Sequence, residues 1–135
     1  MDNTVTVSAE FFFKGVKLTP SLVLDCDLYL TREAKLPPLY PLLARANNMD
    51  LYSYEYEILQ AEQLHFSQAQ GLIAKFVHEE VLDEQGFVEA WILQKVDEHL
   101  QEIATNHLQI ENIKTHPELY QAMYSAFQYG LKQRK

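Results

Sequence analysis

The apolar residues of this chain change their spacing part-way along, every second residue at first and every third or fourth after Lys35. A strand exposes alternate residues to one face, and a helix brings residues three and four apart together, so this switch constrains the fold most. Val5, Val7, Ala9, Phe11 and Phe13 alternate with Thr4, Thr6, Ser8, Glu10 and Phe12. Lys14-Gly15 suits a tight turn, because glycine accepts positive φ, and Val16-Lys17-Leu18 then returns antiparallel. Thr19-Pro20-Ser21 breaks the ladder, since proline has no N–H to donate. Leu22, Leu24, Cys26, Leu28 and Leu30 alternate again. The competing reading is a helix capped by Thr19 with Pro20 first, because Leu22, Cys26, Tyr29 and Leu30 also sit at helical spacing. We read residues 22–26 as strand and leave 27–33 open.

Beyond Lys35 the pattern predicts helices. Leu36-Pro37-Pro38 marks a boundary, Leu39, Leu42, Leu43 and Ala46 share a face, and Asn47-Asn48 can close that helix. Asp50 is placed to cap a helix through Leu59, although the alternation of Tyr52, Tyr54, Tyr56 and Ile58 leaves residues 50–60 open between helix and strand. Ala69 to Val77 reads as a short helix, with His78-Glu79-Glu80 as its polar end. Asp83 caps a helix to about His107 with the stripe Leu93, Val96, Leu100, Ile103 and His107. Thr115-His116-Pro117-Glu118 has the form of a capping box. It opens a helix carrying Leu119, Tyr120, Met123, Tyr124, Phe127 and Leu131, with Lys132, Arg134 and Lys135 where the helix dipole favours cations. Strands first and helices later predict an α+β fold, a small N-terminal antiparallel sheet of two to three strands packed against four to five helices. With 135 residues and no linker, residues 1–135 are expected to form a single domain.

Net charge is −8 and unevenly placed, with 13 acids against two bases between Ala46 and Ile113. Phosphate binding relies on Lys and Arg, so no nucleic-acid partner is expected, and an anionic membrane surface is disfavoured for the same reason. No apolar run reaches a membrane span and the N-terminus lacks a signal-peptide pattern, so the expected location is cytoplasmic. A lone cysteine, Cys26, forms no internal disulfide and no Cys-based zinc site. Asp25 and Asp27 flank it and would raise its pKa, opposing a role as nucleophile.

Leu22-Val23-Leu24-Asp25-Cys26-Asp27 resembles the opening strand of haloacid-dehalogenase-type phosphatases over about six residues. The resemblance implies that one of Asp25 and Asp27 attacks phosphorus while the other handles the proton, with magnesium between them. The sequence departs from that pattern at Leu28 and Tyr29, and the helical texture after Lys35 departs from the doubly wound sheet the family uses. The competing reading places Asp25 and Asp27 on a solvated strand face or at a helix cap. Glu62-x-x-His65 matches one Glu-x-x-His unit of di-iron helical bundles, and His99-x-x-Glu102 is the reverse order. These four residues are the candidate metal ligands. Against them stand a loop or strand for His65 and a solvated helix face for Glu102. His107 reads as a hydrogen-bonded core or boundary residue rather than a ligand. No G-x-G-x-x-G, P-loop or G-x-S-x-G occurs, and no cofactor is expected.

Eight tyrosines are about twice the ordinary share. Tyr52, Tyr54 and Tyr56 form one cluster among Glu55 and Glu57, and Tyr120, Tyr124 and Tyr129 form another with Phe127. Tyrosine joins an apolar body to a polar tip and is enriched at protein interfaces, although half-buried tyrosines also line small cores. With no complete catalytic constellation, the sequence favours a non-catalytic acidic interaction or regulatory module. Tyr52, Tyr54, Tyr56, Tyr120 and Tyr124 would bind a protein partner or a second copy. The alternative is a small carboxylate/histidine metal-binding protein or metal-dependent hydrolase.

Overall fold

The N-terminal alternation becomes the middle of a sheet. The structure is a computed structural model that describes residues 2–133, so Arg134 and Lys135 lie outside the described residues. Strand β1 (Thr4–Ser8) pairs antiparallel with β4 (Ser21–Asp25) on one side and β5 (His65–Gln70) on the other, giving the order β4-β1-β5. Val5 and Val7 are fully buried and Thr4, Thr6 and Ser8 are half-buried, as period two requires. After Ala9 the chain leaves this sheet, and β2 (Phe11–Phe13) and β3 (Val16–Leu18) form a separate hairpin. Its turn is Lys14-Gly15, with φ of 52° and 79°, the left-handed pair that a two-residue hairpin uses.

Strand β4 runs directly into helix α1 (Cys26–Glu33), so the strand reading holds to Asp25 with Cys26 already helical, and 27–33 are helix. The helix capped by Thr19 does not form, because residues 21–25 pair with β1. Helices α2 (Leu39–Ala46) and α3 (Tyr54–Ala61) follow. Leu43, Ala44, Met49, Tyr56 and Leu59 bury with Ala9 and Phe11 in one apolar cluster. Ser53, not Asp50, caps α3, its hydroxyl accepting the Tyr56 N–H at 3.2 Å. The Asp50 carboxylate instead accepts the Tyr52 N–H at 2.8 Å, closing the turn before the helix.

The predicted helix over 69–77 is a strand end and a tight turn. Strand β5 continues to Gln70 and only Leu72–Phe76 coil, as one 3-10 segment. The register against β1 shifts between Thr4 and Thr6, where Gln68 takes φ 52° as a bulge. His78-Glu79-Glu80 is not a helix end either. Glu79 and Glu80 have φ of 50° and 64° and turn the small hairpin of β6 (Val77–His78) and β7 (Val81–Leu82). That hairpin is tied to β5 by the Phe66 N–H donating to the Glu80 carbonyl at 2.9 Å.

Helix α4 (Glu84–Leu108) begins where Asp83 accepts the Gly86 N–H at 3.1 Å. The chain divides into two compact units, Met1–Glu89 and Ala90–Lys135, and the division falls within α4. The first unit holds β1–β7 and α1–α3, and Phe87 is buried in it with its ring 6.2 Å from Phe76. In the second unit Val96, Leu100 and Ala104 of α4 bury with Ile113, and helix α5 (Pro117–Gln133) packs Tyr120, Met123, Tyr124 and Phe127 on them. The buried line of α4 therefore departs from the predicted stripe. Leu93 is 43% exposed, and His107 lies in solvent rather than in the core or at its boundary. Thr115 makes no capping box, because it ends the 3-10 turn Ile113–Thr115 and its hydroxyl donates to the Asn112 carbonyl at 2.7 Å. Five α-helices and small antiparallel sheets make the described fold α+β.

Candidate functional site

Asp25 and Asp27 stand at the junction of β4 and α1, where a carboxylate next to a helix N-terminus meets free N–H groups. The Asp27 carboxylate accepts the Asn3 N–H at 2.7 Å and the Asn3 side-chain amide at 3.0 Å. Asn3 is buried, its side-chain oxygen accepts the Ile73 N–H at 3.1 Å, and its carbonyl accepts the Cys26 N–H at 2.9 Å. One asparagine thus joins β1, α1 and the 3-10 turn, and Asp27 is a strut of that joint. Asp25 precedes α1 without a side-chain cap bond, and its Oδ1 is buried with no hydrogen-bond partner. Cys26 is fully buried beside them, and burial, then Asp27 and Asp25, push its thiol up to about 12. A thiol held protonated is no nucleophile at neutral pH.

The candidate metal ligands are not arranged as the helical pattern requires. Helix α3 ends at Ala61, so Glu62 is its C-cap and His65 opens β5, and the two share no helix face. His65 borders an open depression of about 200 Å³ with Ser8, Glu10, Thr19 and Glu80. Glu10 pairs there with Lys17 at 2.8 Å, which holds its carboxyl below the usual range. His99 and Glu102 are exposed on α4. Among the described residues no group of three or more His, Cys, Asp or Glu side chains could hold a metal ion.

The tyrosines separate by environment. Tyr52 is 98% exposed and Tyr54 76% exposed, whereas Tyr56 is 7% exposed and sits in the core, which removes it from any binding surface. The segment carrying them is ordered by its own hydrogen bonds: the Ser53 N–H and hydroxyl donate to the Asp50 carbonyl at 3.0 and 2.6 Å. Helix α3 then turns Tyr56 and Leu59 inward and leaves Tyr54, Glu55 and Glu57 at its acidic start. Tyr120 and Tyr124 are half-buried, with ring centroids 6.0 Å apart. The Tyr120 hydroxyl donates to Asp97, which pushes the phenol above its ordinary pKa. Lys114 lies 3.3 Å from the same carboxylate and 4.2 Å from the Tyr120 ring. Tyr120 and Tyr124 are thus packing residues with one open side.

Among the described residues no helix is long and apolar enough to cross a membrane. No family model matches the chain, and neither a curated protein nor a solved structure matches it. Sequence reasoning passed over Asn3, Ser53 and Gln101. Gln101 binds the carbonyls of Ile110 and Glu111 at 3.1 and 3.0 Å and accepts the Ile113 N–H at 2.7 Å. The partners of Asn3 lie 24 and 70 residues away and those of Gln101 lie 9 to 12 residues on, which no local pattern reports, whereas Ser53 is a local cap signal that Asp50, three residues earlier, rivals.

Proposed function

We propose that the chain is a non-catalytic interaction module that presents Tyr52 and Tyr54 to a basic protein partner. The observation that carries this reading is their exposure, 98% and 76%, on a turn whose backbone its own hydrogen bonds close. With the backbone turn already ordered, a partner that covers these rings restricts only their side chains, and tyrosine has few rotamers to lose. Asp50, Glu55 and Glu57 surround the pair, so a partner rich in Lys or Arg meets complementary charge. The hydrolase alternative gains no support, because Asp27 is committed to Asn3.

The test compares the wild-type chain with a Tyr52→Ala/Tyr54→Ala double variant as bait. The expected outcome is a protein retained by the wild type, eluted by salt and lost from the variant, whose melting temperature stays within about 1 °C. Equal retention by both baits would falsify the assignment.

A further inference from the structure

We propose that α5 pairs antiparallel with α5 of a second copy of this chain. Every residue of α5 whose side chain is described is at least partly exposed, although the helix runs 17 residues. Tyr120, Met123, Tyr124 and Phe127 pack on the cluster of the second unit, which occupies one side of the helix. Leu119, Ala122, Ala126 and Tyr129 recur at steps of three and four and form a second line, with Tyr129 67% exposed.

That line is complementary to itself only when the partner helix runs the opposite way. A two-fold axis near Tyr124 sets Ala122 against the partner's Ala126 and Leu119 against the partner's Tyr129. The alanines let the backbones approach, and the larger side chains fill the ends. The same axis brings Glu118 of one copy beside the partner's Lys132, on both sides of the axis, with opposed helix dipoles. A parallel pair would face Glu118 with Glu118 and Lys132 with Lys132.

Net charge favours this surface over the others. Residues 1–89 carry −8, whereas 90–135 carry five acids and five bases. Two copies meeting through the second unit therefore avoid the repulsion that contact through the first would bring. A helix of this length spans about 25 Å, so a single pair falls at the small end of specific interfaces and makes a weak dimer. This pairing is separate from the Tyr52–Tyr54 turn and stands or falls without it.

Sedimentation equilibrium of the full chain, at rising concentration, tests it. The wild type is expected to show a monomer–dimer equilibrium, and Ala126→Arg is expected to abolish it without changing the circular dichroism spectrum. Glu118→Lys and Lys132→Glu alone should each weaken the dimer about tenfold. An equimolar mixture of the two should recover wild-type affinity, because each like-charge contact becomes an opposite-charge one. Tyr52→Ala/Tyr54→Ala should dimerise as the wild type does. A wild type that stays monomeric overturns the proposal, and so does a dimer that Ala126→Arg leaves intact or a mixture that fails to recover.

Discussion

The two units of this chain reach order by different means. Among the described residues, nine of the ten largest fully buried side chains belong to Met1–Glu89, and one, Ile113, comes from Ala90–Lys135. The first unit is built around Val5, Val7, Leu24, Leu43, Leu59, Ile73 and Phe87, which lie on strands, helices and a turn distant in sequence. The second relies on a smaller apolar cluster and on polar ties, with Gln101 joining Ile110, Glu111 and Ile113, and Asp97 joining Lys114 and Tyr120. Buried apolar area is the main favourable term in folding, and exposed ion pairs contribute little. The difference therefore predicts that substitutions in the first unit cost far more than comparable ones in the second.

Gly71→Ala should have the largest effect. Gly71 adopts φ +91°, and an added Cβ would lie 2.1 Å from the Asp2 carbonyl oxygen and 2.8 Å from the Asn3 side-chain oxygen. Both the backbone conformation and the space are closed to an L side chain, and the clash falls on the Asn3 joint. Urea unfolding should show a loss of about 3 kcal/mol or more. A loss below about 1 kcal/mol would mean that this joint relaxes freely and that the first unit is no more tightly specified than the second.

The Cys26 thiol should come next. Its pKa rises from 9.0 to about 12 in the folded chain, chiefly because burial disfavours the thiolate. The unfolded chain ionises first as pH rises. The stability held by the neutral buried thiol is thus fully present below about pH 9 and is lost progressively towards pH 12. Summed over that window the loss is a few kcal/mol. Comparing the pH dependence of unfolding for wild type and Cys26→Ala isolates it, since the variant should lack that part of the alkaline decline. Identical alkaline slopes would show that Cys26 contributes no such linkage. Tyr120 and Lys114 are also raised by their shared carboxylate, but both are partly or largely exposed, so solvent weakens their share.

Much of the first unit was legible because its signals are local. The period of two from Thr4 to Phe13, the Lys14-Gly15 turn, the return at Val16 and the boundary at Pro38 each need only neighbouring residues. Strand β5 was hidden because His65–Gln70 is polar apart from Phe66 and Ala69 and is bulged at Gln68, so the sheet defines it more than its own pattern does. Asp50 and Ser53 are both good cap residues three positions apart, and packing of Tyr56 and Leu59 selects Ser53. The tyrosine cluster looked uniform in sequence. The phase of α3 then buried Tyr56 and exposed Tyr54, and that phase depends on where the cap falls. Likewise the stripe on α4 was right at Val96 and Leu100 and wrong at Leu93 and His107, because its buried direction is set by Ile113 and α5.

The smallest effect should have the opposite sign and lies in the second unit. Gly130 sits within α5, and nothing lies within 4 Å of the position a Cβ would take. Glycine in a helix interior costs about 1 kcal/mol relative to alanine through the backbone freedom it loses on folding. Its backbone has no positive φ and no close neighbour demands it, unlike Gly71. Gly130→Ala should therefore stabilise the chain by up to about 1 kcal/mol, less if the end of α5 frays. Thermal unfolding at low protein concentration reads this for the monomer alone, because a partner helix pressing on Gly130 would penalise the added methyl. A destabilisation at low concentration would mean that α5 is held by a contact of the single chain at Gly130, and the contrast between a filled first unit and an open second one would fail.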